Sequence, residues 1–166
     1  MKLNDNFIGV IEKNKGIIYK VANAYCKNDE DRKDLVQEII IKLWQSFENY
    51  NPQYSLSTWM YRISLNTAIS FYRKDSRRKD ISLPVSEDMM LFIKETESDE
   101  TEQNISLLQQ FLSELKELER ALMILYLEEK SHKEMAEVLG LSTTNIATKI
   151  GRIKDKLKQR FSTIKN

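Results

Sequence analysis

Apolar residues recur every three or four positions through most of the chain, which is the period of a helix with one buried face. Over residues 5–26, Phe7, Ile8 and Ile11, then Ile17, Ile18, Val21, Ala24 and Tyr25, predict an amphipathic helix. Gly9 and Gly16 weaken it locally. Residues 31–49 place Leu35, Val36, Ile39, Ile40, Leu43, Trp44 and Phe47 on one broad apolar face, which must be buried against other helices. A third helix is expected over 57–79, after the turn-forming stretch NPQYS, with Ser55 or Ser57 as its N-cap. Sustained strand-type alternation is missing, and only four glycines and two prolines interrupt 166 residues, so the expected fold class is all-α. Pro52 and Pro84 fall where helices are expected to stop.

The pattern then breaks. Residues 86–102 hold seven acidic side chains and one basic one, Lys94, around a short apolar run at residues 89–93. Such like charge predicts a solvated linker over 81–103 between two small helical domains, residues 1–80 and 104–166. A plain spacer is one reading of it. Docking through the apolar run MMLFI is the other. Beyond the linker, Leu107, Leu108, Phe111, Leu112, Leu115, Leu118, Leu122, Leu125 and Tyr126 resume the helical period. SHKE at 131–134 has the capping-box pattern and opens a short helix that Gly140 ends. Ser142 caps a last helix running to about residue 161.

Composition narrows the function. Lys and Arg total 26 against 25 Asp and Glu, for a net charge of +1, so the chain is not uniformly basic. One cysteine, Cys26, and one histidine, His132, leave no internal disulfide and no Cys/His zinc or iron-sulfur set. No apolar run approaches the roughly 18 to 20 residues of a spanning helix, and the N-terminus lacks a secretory signal, so a soluble, cytoplasmic protein is expected. No Gly-rich phosphate loop, nucleophile elbow or catalytic cluster is present, so neither enzyme activity nor a cofactor is expected.

Charge is segregated within the near-neutral total. From Lys130 onward there are nine basic and three acidic residues. Ile146, Ile150, Ile153, Leu157 and Phe161 form a core stripe on the last helix, and Lys149, Arg152, Lys156 and Arg160 form a cationic face beside it. A short capped helix, a glycine turn and a longer cationic helix make the plan of a helix-turn-helix, whose second helix enters the major groove of DNA. Its early residues Thr143, Thr144, Asn145, Thr148, Lys149 and Arg152 are candidate base-edge or phosphate contacts, with Lys156 further along. The alternative is an exposed solubilising face. On the third helix Arg62, Asn66, Ser70, Arg73 and Arg77 share one side, with Tyr54, Trp59 and Tyr61 before or among them. Cations beside aromatic rings suit single-stranded nucleic acid, although Trp59 and Tyr61 fit a helical core equally well. Asp34, Gln37, Glu38, Ile41 and Gln45 lie away from the centre of the second helix's apolar face. The aliphatic Ile41, rimmed by polar groups, fits a partner-binding surface better than bulk water.

Two stretches resemble a known family. DLVQEIIIKLWQSFENYNP, followed by STWMYRISLNTAISFYRK, resembles region 2 of extracytoplasmic-function sigma factors, and LYLEEKSHKEMAEVLGLSTTNIATKIGRIKDKL resembles their region 4. With the acidic linker the resemblance covers nearly the whole chain. It implies a factor that directs bacterial core RNA polymerase to a subset of promoters. Asp34, Leu35, Gln37, Glu38 and Ile41 would meet the β′ clamp helices of the polymerase. Tyr54, Trp59, Tyr61, Arg62, Asn66, Arg73 and Arg77 would engage the opened minus-ten element. Thr143, Thr144, Asn145, Thr148, Lys149, Arg152 and Lys156 would read the minus-thirty-five element as duplex. The family's usual regulator is an anti-sigma factor. Ser70, where many members have Asp, and Thr144 to Ala147, where many have a Gly-Thr-Val-Lys-like start, depart from the pattern and bear on promoter sequence. The competing classes are a stand-alone helix-turn-helix regulator acting as a dimer on duplex DNA, and a helical interaction protein without nucleic-acid function.

Overall fold

The computed structural model describes residues 2–26, 28–76, 110–111 and 114–165. The acidic segment with its apolar run, and Arg77, lie outside the described residues. Every regular element among the described residues is helical, and the chain divides into two units, residues 1–80 and 81–166.

In the first unit α1 (Lys2–Tyr25), α2 (Asp29–Ser46) and α3 (Leu56–Ser76) each pack against the other two. A 3-10 turn, Phe47–Asn49, extends the end of α2. The interior is built from Ile18, Val21 and Tyr25 of α1, Leu35, Ile39 and Leu43 of α2, and Met60, Tyr61, Leu65 and Ala68 of α3. Burying each large aliphatic side chain contributes roughly 1.5–3 kcal/mol. The bend in α1 falls at Asn14 rather than at either glycine. Its backbone leaves the helical region (φ −121°, ψ 16°) and its side-chain amide donates to the Val10 carbonyl at 2.9 Å, standing in for a main-chain bond. The second helix starts two residues before the expected position because Asn28 caps it, its side-chain oxygen accepting the Asp31 N–H at 2.8 Å. At the start of α3, Ser55 rather than Ser57 is the cap, accepting the Thr58 N–H at 3.2 Å. Trp44 stands 42% exposed at the margin of the face that Leu35, Ile39 and Leu43 bury.

In the second unit α4 (Glu117–Leu127) and α5 (His132–Leu139) each pack against α6 (Thr143–Lys165). Ile146, Ile150 and Ile153 are buried as one stripe of α6, together with Leu122, Leu125, Met135 and Val138. Arg120 is also buried, 2% exposed, and its guanidinium donates to the Leu115 carbonyl at 3.3 Å, tying the approach to α4 onto the helix. Both serine caps form: Ser131 Oγ accepts the Glu134 N–H and Ser142 Oγ accepts the Asn145 N–H, each at 3.1 Å. The Glu134 carboxylate lies 3.7 Å from Lys130 Nζ. Gly140 closes α5 in the left-handed region (φ 69°), where the absence of a Cβ matters, and its N–H and that of Leu141 both reach the Ala136 carbonyl.

The turn from α4 to α5 has the same geometry without a glycine. Glu129 has φ 59°, and the N–H of Lys130 bonds the Leu125 carbonyl at 3.0 Å. A side chain there is strained, so Glu129→Gly should stabilise the second unit by about 1 kcal/mol. A thermal melt should show the midpoint rising; an unchanged or lower midpoint would contradict the strain.

Candidate functional site

The α2 face opposite Leu35, Ile39 and Leu43 carries Asp34, Gln37, Glu38 and Ile41, all exposed. Ile41 is 53% exposed, a substantial aliphatic surface held in water by a rigid helix. Leu35 differs from its neighbours in the sequence-derived set: it is fully buried, supporting the surface from beneath rather than forming part of it.

On α3, Arg62, Asn66, Ser70 and Arg73 lie on the exposed side, as their spacing predicts. Packing of α3 against α2 brings this stripe beside the α2 surface. Glu38, Ile41, Lys42 and Gln45 on one side, with Arg62, Asn66, Ser70 and Lys74 on the other, line one groove of about 710 Å³. Ile63 and Phe71 add apolar floor. Lys42, Arg62 and Lys74 face a single carboxylate, Glu38, so the groove favours an anionic or strongly polar occupant. Lys42 and Lys74 join the site only through this pairing of helices, which spacing along one helix does not reveal.

The aromatic residues split by exposure. Tyr54 is 40% exposed on the turn before α3. Tyr61 is 1% exposed and Trp59 9%, so both rings belong to the interior. Trp59 is the fourth ring of an aromatic chain that runs from Trp44 to Tyr50: Trp44 and Phe7 lie 5.0 Å apart, Phe7 and Phe47 5.2 Å, Phe47 and Trp59 6.1 Å, and Trp59 and Tyr50 5.1 Å, between ring centroids. These edge and tilted contacts fix the turn between α2 and α3.

In the second unit Thr143, Thr144, Asn145, Thr148 and Arg152 are exposed along the first turns of α6, and Lys149 is half-buried. The Thr148 hydroxyl donates to the Thr144 carbonyl at 3.0 Å, so its proton is taken and its oxygen keeps acceptor capacity. Further along, the cationic face is engaged within the unit. Lys156 Nζ lies 3.4 Å from the Glu119 carboxylate, Arg160 pairs with Glu114, and Lys154 sits 4.5 Å above the Tyr126 ring. The end of α6 is therefore braced against α4 and the residues before it, while the helix start is presented to solvent.

Comparison with known proteins finds one family match in each unit. Residues 10–78 match Sigma-70 region 2 and residues 105–157 match Sigma-70, region 4. The chain is 30% identical over 128 residues to the RNA polymerase sigma factor SigZ of Bacillus subtilis, covering 76% of this chain and 70% of that protein. It is 24% identical over 167 residues to the ECF RNA polymerase sigma factor SigW of the same organism, covering 95% and 89%. Among solved structures it superposes on the sigma factor RpoE from Bartonella quintana, determined in complex with the anti-sigma factor NepR, with a TM-score of 0.66 at 18% identity over 97% of each chain. Two region matches in order, each falling on a helical unit with the surface described, establish that the chain belongs to the extracytoplasmic-function group of the sigma-70 family and works as an RNA polymerase sigma factor.

Proposed function

We propose a division of labour among the three surfaces, in a protein of the cytoplasm that carries out no catalysis of its own. The observation that carries it is the separation on α2 between a buried side, Leu35, Ile39 and Leu43, and an outward side, Asp34, Gln37, Glu38 and Ile41. The outward side docks on the β′ clamp helices of core polymerase, with Ile41 as apolar anchor and the carboxylates supplying register. The α3 stripe of Arg62, Asn66 and Arg73, with Tyr54 on the adjacent turn, holds the opened non-template strand of the minus-ten element; Arg77 extends that stripe in sequence. Trp59 and Tyr61 support this surface from the interior. The exposed start of α6 reads the minus-thirty-five element in the major groove, Asn145 being the best suited to a base edge. Residues 1–80 and 104–166 are the two domains, joined by the acidic linker over 81–103. Promoter opening is driven by binding energy, the unstacking cost being offset by strand contacts. The solved relative in complex with an anti-sigma factor supports regulation of this chain by a protein of that class.

A stand-alone regulator would protect an operator from nuclease without polymerase. The sigma reading predicts protection of a promoter by the chain together with core polymerase and none by the chain alone at the same concentration. An operator footprint without polymerase would reject it.

The bracing of α6 makes a further distinction. Each phosphate neutralised adds about 0.9 to the steepness of log K against log salt. Lys149→Ala or Arg152→Ala should therefore reduce the slope of holoenzyme binding to a minus-thirty-five duplex by about 1. Lys156→Ala should reduce it by less, because Glu119 already neutralises that ammonium. Equal reductions for all three would show that the ion pair opens on DNA.

A further inference from the structure

The turn from Tyr50 to Ser55 is more highly organised than a six-residue connection requires. Tyr50 Oη donates to the Tyr54 carbonyl at 2.7 Å, the Tyr54 N–H bonds the Asn51 carbonyl at 3.1 Å, and the Gln53 N–H bonds Asn51 Oδ1 at 3.0 Å. Ser55 then caps α3. The Tyr50 ring in turn rests on Trp59, 5.1 Å away between centroids, and so on the aromatic chain that crosses the unit to Trp44. Asn51, Pro52, Gln53 and Tyr54 are exposed on this hydrogen-bonded turn, at the N-terminal end of the helix that carries Arg62 and Asn66.

A loop that must be ordered on binding loses part of its interaction energy to that ordering, and one already ordered does not. We infer that Tyr50 is a positioning residue for promoter opening: its hydroxyl locks the turn so that Gln53 and Tyr54 are pre-arranged to receive an unstacked base of the opened strand. This rests on the assignment of the α3 stripe and its turn to the minus-ten strand. Tyr50 itself touches no DNA. Its ring is spent on Trp59 and its hydroxyl on the main chain. The substitution that isolates the role is Tyr50→Phe, which keeps the ring contact and removes only the lock.

The test uses the full chain bound to core polymerase and an oligonucleotide carrying the non-template strand of a promoter mapped by start-site sequencing, compared with a scrambled strand. Wild-type holoenzyme should prefer the promoter strand. Tyr50→Phe should weaken that binding about 3- to 10-fold, the range for loss of one hydrogen bond, while binding to core polymerase, to a minus-thirty-five duplex and the melting midpoint stay unchanged. Gln53→Ala should weaken the same strand binding, and adding Tyr50→Phe to it should cost less than the product of the two single effects, because the lock acts through the residues it presents. Unchanged strand binding by Tyr50→Phe, with the wild-type preference intact, would overturn the positioning role alone. A parallel fall in melting midpoint and core binding would overturn it as well, by showing a merely structural role. A wild-type chain with no preference for the promoter strand would overturn the underlying assignment of the turn.

Discussion

Glu38→Arg is expected to abolish most of the affinity of the chain for core RNA polymerase, by roughly 2–4 kcal/mol or about 30- to 700-fold. Glu38 lies beside the exposed Ile41, on the outward side of a helix whose other side is packed. Reversing its charge sets a cation where a complementary partner expects a carboxylate, and like charges brought together in a desolvated interface cost several kcal/mol. The fold has little reason to respond. Substitutions at exposed helical positions usually move stability by less than about 0.5 kcal/mol. Titration of labelled chain with core polymerase, beside a thermal melt, reads both quantities. Unchanged affinity would remove α2 from the docking surface, and a collapse in melting temperature would void the comparison, for which Ile41→Ser then serves as the second variant.

Trp59→Ala and Arg62→Ala, three positions apart on one helix, should fail in different ways. Trp59 is buried among Phe47 and Tyr50, so its truncation should cost about 3–5 kcal/mol of stability and lower the melting midpoint by more than about 10 °C. Arg62 projects into the groove beside Asn66, so its truncation should leave the midpoint in place and slow open-complex formation by about tenfold, with a smaller effect on core binding. Permanganate reactivity of unpaired thymines in the minus-ten region follows opening directly. A Trp59→Ala chain that melts normally would place that ring in the DNA site after all. An Arg62→Ala chain that loses core binding as much as opening would assign Arg62 to polymerase docking rather than to the opened strand.

The difference between those residues also shows what sequence could reveal. Period and caps fix a helix's existence and its inward side, and this made α2, α3, α5 and α6 readable, along with the Ser131 and Ser142 caps and the Gly140 turn. A residue's place on the edge of the stripe is decided by what the neighbouring helix puts against it. Trp59 and Tyr61 are interior because Phe47, Tyr50 and the rest of the bundle cover them, while Trp44, with the same apolar character, stays 42% exposed. Long-range pairings were equally hidden. No periodicity or motif singles out Glu114 or Glu119, and only the fold sets them against Arg160 and Lys156, more than thirty residues away. The α2–α3 groove unites two stripes that periodicity could describe only one at a time, and the lock from Tyr50 to Tyr54 depends on turn geometry that composition does not encode.

The central claim is that this chain, docked through the outward side of α2, confers promoter choice on a polymerase that otherwise lacks it. Run-off transcription with purified core polymerase, followed by sequencing of the transcript starts, tests it most directly. The account predicts a discrete set of start sites that appears only when the chain is added and disappears with Glu38→Arg. Transcripts that start at the same places without the chain, or none when it is present in excess, would contradict it.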